Sequence, residues 1–421
     1  MYKKTVLENG LTILTVPRHE TKAVTVLILV GTGSKYEDKN NNGISHFLEH
    51  MFFKGTEKRP NTMAISDPLD RAGGIFNAFT GEEYTGYWAK VEASQFDLAL
   101  DVVSDIFLNS KLEQEEIEKE RGVIIEEINM YYDNPMSHVQ LLWEKLLYGD
   151  QPAGWDIAGP KENILKFQRK DFADYMNSQY VAKNTIICIA GNINEDEAIE
   201  KAKKYLSNIR TGEFKDKVLV VEKQTDPQVE LKYKETDQTH LLIGFRGVSL
   251  ASEDEYKQKI LATILGGMMS SRMFMSVREK QGLTYYISTA SDTFTDTGYI
   301  VTRAGVDNKR VFLAVKAILE EYKKIMDDGV PEEELKKAKE NIKGKMALTF
   351  EASDAEASFY GAQLLLEKKI KTPEEIFAEI DKIDAVDIQN FAKQIFTNDK
   401  LNLALIGPFK EEEEFKKILK I

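Results

Sequence analysis

Cysteine, histidine and long hydrocarbon runs are all scarce in this 421-residue chain, and each shortage narrows what it can be. A single cysteine, Cys188, excludes a disulfide within the chain. Its setting, Thr185-Ile186-Ile187-Cys188-Ile189-Ala190, fits a small buried hydrophobe in a strand rather than a reactive thiol. No apolar run approaches the ~20 residues needed to cross a bilayer. The start, Met1-Tyr2-Lys3-Lys4-Thr5-Val6-Leu7, lacks the apolar core of a signal peptide. A soluble, cytoplasmic protein without a membrane partner is expected. Basic residues number 56 against 69 acidic ones, a net charge of −13. Nucleic acid is therefore not an expected partner, because phosphate binding needs a basic face.

What is present supports packed cores: 42% of the residues are hydrophobic, and the length calls for at least two domains. Of only five histidines, two fall in His46-Phe47-Leu48-Glu49-His50. The surrounding 42–55 reads as a short helix, with Asn42 as a cap and Gly55 as a stop. Ile44, Phe47, Leu48, Met51 and Phe52 form one apolar stripe. His46, Glu49, His50 and Phe53 occupy the opposite face. On a helix the four-residue spacing stacks both imidazoles and places the glutamate between them. Two neutral imidazoles suit zinc, and an adjacent carboxylate can accept a proton from water. The plain alternative is a solvated polar face, against which Phe53 argues.

A second helix is expected over 112–132, with Ile117, Val123, Ile124, Ile128 and Tyr131 as its apolar arc. Glu120 and Glu127 project within that arc, whereas Glu126 points with Lys119 to the polar side. A buried carboxylate needs a cation or hydrogen-bond donors. Ion pairs with basic residues elsewhere would satisfy both. Beside a two-histidine half-site, they fit better as a third metal ligand and its supporting neighbour. The helical geometry selects Glu127 over Glu126.

These residues resemble the pitrilysin/insulinase-type metallopeptidases, whose zinc motif runs in inverted order, and in particular their short processing-peptidase-like branch. The resemblance rests on Gly-Ile-Ser-His-Phe-Leu-Glu-His-Met-Phe-Phe-Lys-Gly-Thr (43–56), Gly-Gly-Ile-Phe-Asn-Ala-Phe-Thr (73–80), Glu-Arg-Gly-Val-Ile-Ile-Glu-Glu-Ile (120–128) and Ser-Arg-Met-Phe-Met-Ser-Val-Arg-Glu-Lys-Gln-Gly-Leu-Thr-Tyr (271–285). It implies one zinc ion per chain, held by His46, His50 and Glu127. Glu49 would be the general base, with Glu120 supporting the site. Residues 73–90 read as two strands around Thr80-Gly81-Glu82-Glu83, with Ile75, Asn77 and Phe79 alternating against Phe76 and Ala78. The resemblance further implies that their exposed edge pairs with peptide substrate, bound at Asn77 and Ala78 with Asn77 near the scissile bond. Arg278 and Tyr285 would bind substrate and steady the oxyanion.

The chain also looks duplicated. Residues 24–31 are echoed by 240–247, and strand, glycine and acidic helix recur around Gly191 and Gly407, both at an offset of 216. The fold expected is α+β, with mixed sheets carrying helices on one face. It would comprise two homologous α/β domains of about 200 residues each. The zinc-bearing domain would span 1–212, a linker 213–227, and a domain without the metal site 228–421. At the same offset, His46 and His50 become Ala262 and Gly266. Long members of the family close four such units into a chamber. Two units here imply a homodimer acting on unfolded or extended oligopeptides. A non-catalytic scaffold subunit, and a hydrolytic subunit paired with an inactive partner, stay open as alternatives.

Overall fold

The segment Ala23-Val24-Thr25-Val26-Leu27-Ile28-Leu29-Val30 is apolar on both sides of its pleat, so it can be stable only at the centre of a covered sheet. The computed structural model, which describes residues 2–421, places it there as strand β3 (Ala23–Val30). The other strands are β1 (Lys3–Val6), β2 (Thr12–Pro17), β4 (Ile75–Thr80), β5 (Thr85–Glu92), β6 (Thr185–Gly191), β7 (Gln228–Tyr233), β8 (Gln238–Arg246), β9 (Thr284–Thr293), β10 (Gly298–Asp307) and β11 (Leu401–Gly407). They form two mixed sheets, ordered β1-β2-β6-β3-β5-β4 and β7-β11-β8-β10-β9. Each sheet has one parallel pair, β2 with β6 and β7 with β11.

The chain divides into two compact units. The first comprises Met1–Asn129, Trp155–Val218 and Ala347–Ile370, and the second Met130–Gly154, Leu219–Met346 and Lys371–Ile421. The units are thus interleaved in sequence rather than contiguous halves.

In the first unit, Val24, Val26, Ile28 and Val30 share a core with helices α1 (Ile44–Met51), α2 (Thr62–Arg71), α3 (Phe96–Asn109) and α4 (Gln114–Asp133). Leu27, Leu29 and Cys188 face the opposite way, onto the helix Ser353–Leu366. The helical layer expected on one face is present, and a single helix from late in the chain seals the other. Burial on that face pushes the Cys188 thiol up, as an inert cysteine requires.

The second unit repeats this plan. Helix α5 (Pro135–Tyr148) covers one sheet face, with Trp143 fully buried edge-on to Tyr299 at 5.8 Å. On the other face Phe245 meets Tyr322 at 5.1 Å and Phe396 at 4.7 Å. The duplication is visible in register. Thr12 pairs with Ile186 and Gln228 with Asn402, so both parallel strands keep the offset of 216. The central strands slip by one residue. Val24 opposes Gly191, whereas His240 opposes Ile406, so Val24 corresponds to Thr239 and not to His240. A hydrophobic echo cannot fix register where both faces are apolar.

Candidate metal and catalytic site

Helix α1 is positioned by its apolar stripe. Ile44, Phe47, Leu48 and Met51 are buried, and Phe47 lies edge-on to Phe172 at 4.8 Å. Its start is held differently from the expectation. Gly43 is the N-cap residue, and the side chain that caps the helix is Glu37, which accepts from Gly43 N and Ser45 N, each at 2.8 Å. Asn42 serves that carboxylate instead, donating to it from Nδ2 at 2.9 Å. A carboxylate reaching back from a loop satisfies two orphan N–H groups that one asparagine could not. Burial raises the Glu37 pKa, against the hydrogen bonds from Ser45, Asn42 and Gly43.

Helix α4 is also rotated relative to the arc drawn from its sequence. Its buried residues are Ile117, Glu120, Arg121, Ile124 and Ile128, while Val123 and Tyr131 are exposed. Arg121 takes a buried place because its guanidinium donates to the carbonyl oxygens of Ile164 and Phe167. Glu126 is exposed, and Glu127 is partly buried on the side that meets α1.

Three side chains converge. His46 Nε2 is 3.6 Å from Glu127 Oε2, and His50 Nε2 is 3.4 Å from the same oxygen. One ligand atom from each of His46, His50 and Glu127 lies within 4.8 Å of the others. Among the described residues, no other His, Cys, Asp or Glu group of three meets that criterion. The donor set fits zinc, since ligand atoms of a tetrahedral site lie roughly 3.4 Å apart. The two rings sit 4.7 Å apart at 66°, so their nitrogens aim at a common point rather than stacking.

The surroundings sort the two histidines. His50 Nδ1 is 2.8 Å from Glu120 Oε1, and Lys54 pairs with the other oxygen of Glu120. For His50, burial opposes protonation, but hydrogen bonds to Glu120 and Glu127 outweigh it and raise the ring to about 9. His46 is lowered to about 4 by burial and by its neighbour His50. Glu127 is lowered by its hydrogen bond to His50. His46 Nδ1 is buried without a hydrogen-bond partner, so that ring has no equivalent of Glu120 behind it.

Glu49 lies on the same turn of α1 and reaches the sheet. Its Oε2 accepts from Thr80 Oγ1 at 2.5 Å, at the end of β4. Burial raises the Glu49 pKa against that hydrogen bond. The hairpin expected over 73–90 is present as β4 and β5, and β4 is the outermost strand of its sheet. Phe76 stacks at 6.5 Å on Phe53, which places Phe76, Ala78 and Thr80 on the α1 side and Asn77 on the other. Asn77 is exposed, and its Oδ1 accepts from Ala78 N at 2.9 Å.

Arg278 and Tyr285 belong to the second unit. Arg278 lies on the π-helical turn Phe274–Lys280, 4.5 Å from the centre of the Phe274 ring. Tyr285 is 60% exposed at the start of β9. There, helix Glu255–Gly266 follows β8 as α1 follows β3. A Cβ on Gly266, the residue at an offset of 216 from His50, would meet Thr289 N at 2.2 Å, so that position can carry no side chain without a backbone shift.

Sequence reading missed Glu37, Lys54 and Thr80. Glu37 carried a signal, an acidic residue just ahead of a helix N-terminus. Thr80 carried none, because only the sheet brings it to Glu49.

Residues 12–161 match the family model for insulinase (peptidase family M16). Residues 166–342 match the model described as the peptidase M16 inactive domain. An uncharacterised zinc protease of Bacillus subtilis, YmxG, is 36% identical over 409 residues, covering 97% of this chain and 98% of that protein. An uncharacterised zinc protease of Rickettsia felis is 35% identical over 403 residues, 96% of each. The crystal structure of a protease from Helicobacter pylori has the same fold, with a TM-score of 0.90 at 22% identity over 97% of this chain and 100% of that one.

Proposed function

Because this chain belongs to the insulinase (M16) family of peptidases, we propose that it is a zinc metalloendopeptidase cleaving unfolded or extended oligopeptides, with Glu49 as general base. One observation carries this reading: two imidazoles and a carboxylate from separate helices meet within 4.8 Å, with Glu49 on the same helical turn. Zinc held by His46, His50 and Glu127 would supply a Lewis acid that polarises a carbonyl and makes water acidic enough to lose a proton near neutral pH.

The chain's own residues do the rest. Glu120 takes the Nδ1 hydrogen of His50 and leaves its Nε2 lone pair facing the ligand cluster. Glu49 accepts a proton from the attacking water and returns it to the leaving amine. Its burial favours the neutral form, which suits a group that must both take and give a proton. The open edge of β4 offers main-chain groups to an extended peptide beside Ala78, and such pairing tolerates many side chains. Folded proteins could not present that strand. Arg278 and Tyr285 offer a planar cation and a hydroxyl donor for the substrate backbone and the oxyanion.

A homodimeric, cytoplasmic enzyme enclosing its substrate in a chamber completes the reading. Among the described residues, no helix is long and apolar enough to cross a membrane. The test is cleavage of an unstructured peptide by the purified protein alone, with its size measured in the same preparation. We expect fragments that vanish on chelation and return with zinc. A fully zinc-loaded preparation that leaves the peptide intact would overturn the proposal in favour of a scaffold.

A further inference from the structure

Residues 32–37 touch both halves of the catalytic frame in the first unit. Toward α1, Glu37 holds Gly43 N and Ser45 N, and the Tyr175 hydroxyl lies 2.8 Å from both Thr32 Oγ1 and Ser45 Oγ. Toward the β4–β5 turn, Lys35 N donates to Glu82 O at 2.9 Å and Thr85 Oγ1 to Thr32 O at 2.9 Å. Gly33 lies so close that a Cβ there would meet Gly81 O at 2.1 Å. The bond from Thr80 to Glu49 closes the circuit. It runs from 32–37 through α1 to Glu49, then through Thr80 and the turn back to 32–37.

At the turn sits an ion pair with almost no solvent. Lys35 Nζ is 2.9 Å from Glu83 Oε1, with side chains 1% and 3% exposed. Lys217 Nζ approaches the same oxygen at 3.5 Å. Burying two charges costs several kcal/mol of desolvation each, so such a pair adds little stability over an apolar one of the same shape. What it does supply is direction. A charge-assisted hydrogen bond fixes the turn in one place, where apolar packing would allow sliding.

We propose that Lys35 is a positioning residue for Glu49: its ion pair with Glu83 pins the β4–β5 turn so that Thr80 keeps its hydrogen bond to the Glu49 carboxylate. The inference rests on the peptidase reading above, in which Glu49 is the general base. It extends the site to a lysine 14 residues upstream of Glu49 in the sequence.

Lys35→Met tests it, because Lys217 remains to compensate Glu83. We expect kcat on an unstructured peptide to fall on the order of 10- to 100-fold, the penalty of a displaced catalytic group. KM and zinc content should match wild type. In the metal-free protein, amide exchange over 81–85 should quicken. Lys35→Arg should restore most of kcat, and Lys35→Met combined with Thr80→Val should lose no more than Thr80→Val alone. If Lys35→Met does not fold, Glu83→Gln is read the same way. Wild-type kcat in the variant, or losses that multiply in the double variant, would overturn the inference. Glu49→Gln is run in parallel. Turnover surviving there defeats the reading of Glu49 as general base, whereas turnover surviving only in Lys35→Met defeats this inference alone.

Discussion

His50 Nδ1 lies 2.8 Å from Glu120 Oε1, and Lys54 engages that carboxylate's second oxygen. The contact orients one imidazole of the proposed zinc site, and His46, whose Nδ1 is buried without a hydrogen-bond partner, has nothing comparable. Removing such a partner commonly weakens metal binding 10- to 100-fold, that is by about 1.4–2.7 kcal/mol. Glu120→Gln should therefore lower zinc affinity by roughly that factor without abolishing binding. Competition titration against a chromophoric chelator measures it, and unchanged affinity would refute the role given to Glu120.

Glu49 and Glu127 are predicted to separate chemistry from ligation. Glu49→Gln should retain near wild-type zinc and lose on the order of 100-fold or more in kcat, the scale of a general base. Glu127→Gln should empty the site. Metal analysis beside peptide turnover distinguishes them. Two variants that both keep metal and activity would mean that the assignments are wrong.

Metal uptake should depend on pH in a definite direction. In the metal-free protein His50 is raised from 6.5 to about 9, so its protonated form stabilises that state fully below 6.5 and loses this effect as pH rises through about 9. Zinc needs the unprotonated nitrogen, so its apparent affinity should drop about tenfold per unit as pH falls below about 9. His46, already lowered to about 4, adds no slope in that range. Titrations across neutral pH test this, and a flat profile would contradict it.

Phe47 lies on the back of the motif helix, fully buried against Phe172 and Phe167. Phe47→Ala should cost about 3–5 kcal/mol through the cavity it leaves. Denaturant unfolding of the metal-free protein reads this directly. A change below about 1 kcal/mol would show that α1 is not anchored there.

If Arg278 and Tyr285 complete the zinc site of a second copy, two inactive variants should rescue each other. Mixing Arg278→Ala with Glu49→Gln under exchange should return roughly a quarter of wild-type activity, because half the dimers are mixed and each holds one intact site. Absence of rescue, with both variants shown to form mixed dimers, would place the pair with its own chain's zinc site.

The local chemistry was legible because it is periodic. The stripe Ile44, Phe47, Leu48 and Met51 required a helix, and that helix required His46, Glu49 and His50 to share its other face. The same reasoning picked Glu127 over the exposed Glu126, although the arc drawn through Val123 and Tyr131 was misplaced. Arg121 is why: a buried arginine with carbonyl partners does not read as core in a hydrophobic pattern.

The order of residues along the chain determined the motif, its helix, the hairpin and the repeated architecture, since each follows from spacing within a few turns or from repetition at a constant interval. Only tertiary structure decided what meets what. Glu127 reaches the histidines, Thr80 reaches Glu49 and Glu37 reaches the start of α1 because sheet pairing and helix packing set distances that no local pattern encodes. The interleaving of the two units has the same origin, for a helix is claimed by whichever apolar sheet face it can cover, wherever in the chain it was encoded.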